Sequence, residues 1–209
     1  MKLTQLSCND FSKELASKTP VPGGGGVAAL VAALGVALNS MVANYTIGKK
    51  KFAEYEEKYI DILKRGEKLR NNLIDLIDKD AENFEPLSKA YIMPSGTDEE
   101  KKEKDIMMQK CLKMACSAPV EILEFTYESI MLHNELVDIS SKTMISDIGV
   151  GIQCLKSALY SAYLNVLINI KSITDEKYVA ELNDRVNRLV HEGSSIADEI
   201  YEKVVKIMS

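Results

Sequence analysis

The stretch Thr19-Pro-Val-Pro-Gly-Gly-Gly-Gly-Val-Ala-Ala-Leu-Val-Ala-Ala-Leu-Gly-Val-Ala-Leu-Asn-Ser-Met-Val-Ala-Asn-Tyr-Thr-Ile-Gly48 contains no charged residue. Its prolines and glycines form a turn, and from about Gly24 to Ile47 the residues suit a helix. A helix apolar on all sides is either a core helix or a membrane span. Lys49, Lys50 and Lys51 follow directly, as basic residues often flank a span. The run itself is weakly apolar, rich in Ala and Gly, and carries Asn39, Ser40, Asn44 and Thr46 in its second half. Ala29, Ala33 and Ala37 recur every four positions and allow close helix approach. These features favour a buried core helix over a membrane span.

Outward from this helix the periodicity stays helical, with no run of alternating strand residues. Ser7-x-x-Asp10 caps a short first helix bearing Phe11 and Leu15 on one face. A long amphipathic helix is expected from Phe52 to Ala90, with the stripe Phe52, Tyr55, Tyr59, Ile62, Leu69, Leu73, Leu76 and Phe84. Asp80 falls on that stripe. Thr97-x-x-Glu100 caps another helix, and Pro119 starts or kinks the segment that continues to Lys142. Ser146 reads as the N-cap of a second charge-poor helix from Asp147 to Ile173, whose interior holds only the charge of Lys156. The last helix, Asp175 to Met208, carries the seam Leu182, Val186, Leu189, Gly193, Ile196, Ile200 and Ile207. The expected architecture is all-α: two charge-poor buried central helices wrapped by long amphipathic ones, in a single domain over 1–209.

The 46% hydrophobic and 27% charged composition is that of a globular protein, and the net charge of -5 speaks against a nucleic-acid partner. No secretory leader is evident. The four cysteines form no CxxC pair, and the two histidines lack ligand spacing, so thiols in a reducing cytoplasm and no metal are expected.

Three features point to chemistry. Pro22-Gly23-Gly24-Gly25-Gly26 leads straight into a helix, where glycines admit close approach and free N–H groups attract anions or carbonyl oxygens. It is neither a P-loop nor a dinucleotide fingerprint; a simple packing turn is the alternative. Lys49, Lys50 and Lys51 at the other helix end suit a polyanion or merely the helix dipole. Asp80 on an apolar face and Asp147 in a first helical turn have pKa values pushed apart, as an acid and base pair requires. A satisfied core carboxyl and a plain N-terminal charge are the competing readings. Asn165 and Asn169 form a polar i, i+4 pair that binds ligand or backbone.

The same segments carry a family resemblance. Pro22-Gly-Gly-Gly-Gly-Val-Ala-Ala, Met41-Val-Ala-Asn-Tyr-Thr-Ile-Gly-Lys-Lys-Lys-Phe52, Asp78-Lys-Asp-Ala-Glu-Asn-Phe84, Ser146-Asp147, and Asn165-Val-Leu-Ile-Asn-Ile170 followed by Ile173-Thr-Asp-Glu176 occur in order. Together they resemble the cyclodeaminase region of formiminotransferase-cyclodeaminase. Gly26 stands where many members have Ser, and Ser95 where many have Lys. The resemblance implies a free-standing, dimeric enzyme acting on tetrahydrofolate derivatives, with no room for a transferase domain. Two activities follow from it: formiminotetrahydrofolate cyclodeaminase, or methenyltetrahydrofolate cyclohydrolase. A folate-binding or structural helical protein without chemistry is the third reading. It further implies proton transfer by Asp80 and Asp147 and contact of the glycine turn with the pterin. Lys49 to Lys51 would attract the folate's glutamate tail, whose carboxylates multiply in polyglutamated forms. No cofactor beyond the tetrahydrofolate substrate is expected, and no membrane partner.

Overall fold

The computed structural model describes residues 2–209, and every regular element among them is helical. The six α-helices are α1 Cys8–Leu15, α2 Gly24–Thr46, α3 Glu56–Tyr91, α4 Asp98–Val137, α5 Ile145–Ile170 and α6 Glu176–Met208. Their starts follow local chemistry. The Ser7 hydroxyl accepts from the Asp10 N–H at 3.1 Å. Thr97 and Glu100 form a reciprocal capping box on α4. Asp175 accepts from the Tyr178 N–H at the head of α6. Gly48 takes a left-handed φ of +75° that ends α2, a conformation glycine adopts without strain.

Helices α2 and α5 form the core, each packing on the other and on the long α3 and α4, while α6 lies over α4 and α5. The two run antiparallel. Gly24 at the start of α2 sits against Asn165 near the end of α5, and Gly35 sits against Leu155 and Gly151 further back. Glycine is required at that second crossing: a methyl on Gly35 would come within 3.0 Å of the Gly151 carbonyl. At this crossing glycine, rather than the row of Ala29, Ala33 and Ala37 on another face of α2, brings the backbones together. The stripe of α3 is buried from Tyr59 through Leu76, and the Tyr59 hydroxyl donates to the Ile139 carbonyl at 2.5 Å.

Four local expectations are corrected. Met144, not Ser146, occupies the N-cap of α5, after a 3-10 turn over Lys142–Met144. A second 3-10 segment, Lys50–Tyr55, precedes α3, so Phe52 lies outside that helix. Pro119 lies within α4 and so does not start a helix. On α6 the buried line is Leu182, Val186, Val190, Gly193, Ala197, Ile200 and Val204. Leu189 and Ile196 are only half-buried and Ile207 is exposed. A straight helix of 3.6 residues per turn drifts away from a 3.5-residue seam, which moves the inward line by one position.

Burial of α2 and α5 is one-sided. Leu34 and Tyr45 on α2, with Val150, Tyr160, Leu164 and Ile168 on α5, point to solvent. By length and hydropathy α2 could cross a membrane, yet over half of its most apolar window is packed inside the protein.

Candidate active site

The antiparallel pairing places the N-terminus of α2 and the C-terminal turns of α5 at one end of the bundle. Asp80 reaches that end from α3. Its carboxylate lies directly against Gly25: a methyl there would overlap both carboxylate oxygens. Only glycine fits between helix start and carboxyl. Burial pushes the Asp80 pKa up to about 6, and a hydrogen bond from the Gly26 backbone N–H partly opposes that rise. The Gly26 N–H in the first turn of α2 therefore holds a carboxyl that changes protonation state near pH 6.

A cavity of about 240 Å³ opens over this carboxyl. Gly23, Gly24 and Gly25 line it beside Asn165 and Asn169, and Phe84, Leu87 and Tyr91 continue along α3 from Asp80. Gly24 permits the Asn165 approach, since a methyl there would sit 3.2 Å from both amide heteroatoms. Each asparagine amide donates backwards, Asn165 Nδ2 to the Ser161 carbonyl and Asn169 Nδ2 to the Asn165 carbonyl, both at 2.8 Å. Pro22 is buried beneath the turn, and Gly26 points inward against Ile77 and Pro22 rather than into the cavity.

The remaining expected residues are elsewhere. Asp147 lies in the first turn of α5, about 27 Å along the helix from Asn165 at 1.5 Å per residue. Lys49, Lys50 and Lys51 follow the C-terminus of α2, about 33 Å from Gly24 by the same rise. Within one protomer neither Asp147 nor the lysines line the cavity, because helices α2 and α5 hold them at the opposite end. Asp80 and Asp147, expected to share the proton transfer, thus stand at opposite ends of the bundle within one protomer. Phe84, Leu87 and Tyr91 follow Asp80 at helical spacings of four, seven and eleven; the sequence reading named Phe84 only as part of the α3 stripe and passed over Leu87 and Tyr91. That periodicity was the available signal, because the face of Asp80 had to continue into whatever Asp80 serves. Ala115 and Pro119 on α4 complete the floor, and nothing in their sequence context marks them.

Among the described residues no three His, Cys, Asp or Glu side chains converge as a metal site would need. A larger groove of about 720 Å³ lies between α5 and the end of α6, lined by Val31, Val150, Cys154, Tyr201, Val205 and Met208 among others. It holds no charged side chain, although Ser146, Gln153 and Ser157 contribute polar groups.

The formiminotransferase-cyclodeaminase family pattern matches residues 7–188. The chain is 38% identical over 194 residues to the methenyltetrahydrofolate cyclohydrolase of Methylorubrum extorquens, covering 93% of both chains. It is 31% identical over 195 residues to the mouse formimidoyltransferase-cyclodeaminase, spanning 36% of that longer protein. The crystal structure of formiminotetrahydrofolate cyclodeaminase from Thermotoga maritima superposes with a TM-score of 0.81 at 29% identity, over 99% of this chain and 97% of that one.

Proposed function

Because the chain belongs to the formiminotransferase-cyclodeaminase family, we propose that it closes the one-carbon bridge of 5-formiminotetrahydrofolate, releasing ammonia and forming 5,10-methenyltetrahydrofolate. The observation that carries this reading is the Asp80 carboxyl, half-ionised near pH 6 and enclosed beside the glycine turn. Ring closure needs one proton moved. N10 attacks the formimino carbon and gives up its proton, and the departing NH2 group takes up a proton to leave as ammonia. A single carboxyl can do both in sequence, accepting from N10 as carboxylate and donating to the leaving nitrogen as acid. Asp147 is not needed for either step within a protomer. The glycine turn supplies backbone N–H groups to the pterin side, and Phe84 and Tyr91 supply flat apolar surface.

A second reading is favoured by the near full-length similarity to the cyclohydrolase of M. extorquens. There Asp80 accepts a proton from water as it adds to the methenyl carbon and returns it to N5 as the C–N5 bond breaks, while the adduct's hydroxyl proton passes to solvent to leave 10-formyltetrahydrofolate. The same cavity serves both. The working unit is a cytoplasmic homodimer, with a second copy on the uncharged outer face of α2 and α5.

The test follows the methenyl chromophore. Appearance of absorbance with ammonia from 5-formiminotetrahydrofolate supports ring closure, and accelerated loss from 5,10-methenyltetrahydrofolate supports ring opening. Asp80→Asn should lower either rate at least about a hundredfold, with an unchanged helical circular dichroism spectrum. A wild-type rate in that variant removes Asp80 from the mechanism. A folded protein inactive on both substrates removes the enzymatic reading.

A further inference from the structure

Resting on the folate reading above, we propose that the cavity selects its ligand by charge, holding the delocalised amidinium cation of the one-carbon unit against the carbonyl oxygens of Asn165 and Asn169. Several independent features of the wall converge on this. Among the described lining residues there is no Lys, Arg or His, and Asp80 is the sole acid. Lys104, beside the end of α3, is committed to the backbone carbonyls of Tyr91 and Met93 at 2.8 and 3.0 Å.

The asparagines have a fixed polarity. A backbone carbonyl can accept only from the amide nitrogen, so the two backward hydrogen bonds determine which end of each side chain is turned to the helix. The Oδ1 atoms are left as acceptors at the cavity wall. They stand in the last turns of α5, where the dipole adds partial negative charge. Pro119 contributes to the same polarity: lacking an N–H, it leaves the Ala115 carbonyl without its helical donor, and both residues line the cavity. Phe84 and Tyr91 offer ring faces, which attract delocalised cations. The positive end of α2 is answered by Asp80, which accepts from Gly26.

The chemistry of the ligands matches this wall. The protonated 5-formimino group and the 5,10-methenyl bridge both spread one positive charge over an N–C–N unit. A formyl group at the same place is neutral. Charge, more than shape, then separates the reacting forms from formylated folates.

The test measures binding of 5,10-methenyltetrahydrofolate to the whole protein by rapid-mixing absorbance that precedes turnover. Neutral 5-formyltetrahydrofolate is measured by displacement. The cation should bind at least tenfold more tightly. Asn165→Leu combined with Asn169→Leu should bring the ratio close to one while changing the affinity for the neutral ligand less than threefold. Asn165→Asp, which keeps size and shape and adds a charge, should raise the ratio above that of the wild type. Equal affinity for the two ligands in the wild type, or a ratio unmoved by either variant, overturns charge selection but leaves the folate assignment standing. Binding of neither folate by the folded protein overturns both.

Discussion

A carboxyl whose folded-state pKa lies near 6 rather than at 3.8 holds its proton more tightly in the folded chain than in the unfolded one. As pH rises through that window the unfolded chain ionises first, so stability is lost with increasing pH and the loss is complete above about 6. The amide that replaces the carboxyl in an Asp80→Asn variant does not ionise, and its oxygen can still accept from Gly26. The variant should therefore be more stable than wild type at pH 8, on the order of 2 kcal/mol after allowance for partial exposure. The gap should close as pH falls to 4. Buried His133, whose pKa burial pushes down to about 4, contributes equally to both proteins and cancels in the difference. Urea unfolding at pH 4 and pH 8 measures it, and a variant no more stable at pH 8 would show that Asp80 is not held against its own ionisation. The glycine turn gives a paired expectation. Gly25→Ala must displace the carboxylate and should reduce turnover about as much as losing Asp80, whereas a Cβ at Gly26 meets only ordinary contacts at 3.7 Å or more. Gly26→Ser should therefore retain activity within about fivefold in the same chromophore assay. At this scale Asp80 was legible because a carboxylate on an apolar stripe is out of place. The loss of Asp147 from the cavity was not legible, since a residue's turn of helix says nothing of which end of the bundle that helix begins at.

Helices α2 and α5 owe their antiparallel register to small residues placed where their backbones cross. Gly35 meets Gly151 and Leu155, and Gly151 in turn faces the His133 ring from α4. A methyl at Gly151 would lie 2.6 Å from His133 Nε2, an atom wholly buried and without a hydrogen-bond partner. Neither the imidazole nor the opposite backbone can withdraw without opening the crossing. Gly151→Ala should therefore destabilise the fold by about 1–3 kcal/mol despite the better helix propensity of alanine. Equilibrium urea unfolding reads this directly, and a neutral or stabilising result would show that the crossing is loose. Since Gly24 and Asn165 lie on the same pair of helices, a shifted crossing should also lower activity. The existence of each long helix was legible from its charge pattern and caps, as Thr97 and Glu100 show. The inward line of α6 was displaced because Leu189 and Ile196 resemble core residues in type, while Val190 and Ala197 are selected by helical pitch and by the room beside Gly193. Pro119 was read as a start or a kink because a proline removes one hydrogen bond, but tertiary packing on both sides of it carries α4 through.

For the whole molecule, the uncharged outer face of α2 and α5 calls for a covering surface. Leu34, Tyr45, Leu164 and Ile168 are each more than half exposed, and an apolar face of that extent marks an interface. A second copy fits it on charge grounds, in one orientation. Packing the two faces with helices parallel would bring both sets of Lys49, Lys50 and Lys51 together. Packing them antiparallel sets each lysine group toward the partner's opposite end, where Glu82 and Glu85 stand beside the acidic cavity. In the proposed dimer the antiparallel arrangement would carry the lysines, a helix length from the cavity of their own protomer, toward a glutamate tail leaving the partner's cavity. Light scattering should accordingly find twice the 23.2 kDa chain mass. Leu34→Glu with Leu164→Glu should yield a folded monomer, because both side chains are already solvated in the single chain. Replacing Lys49, Lys50 and Lys51 together by Ala should leave the chain helical and raise KM for polyglutamated more than for monoglutamated substrate, with kcat little changed. A wild-type chain that stays monomeric at micromolar concentration would leave the lysines as a helix-end charge alone, and the tail would then have to be bound by residues of the cavity's own end.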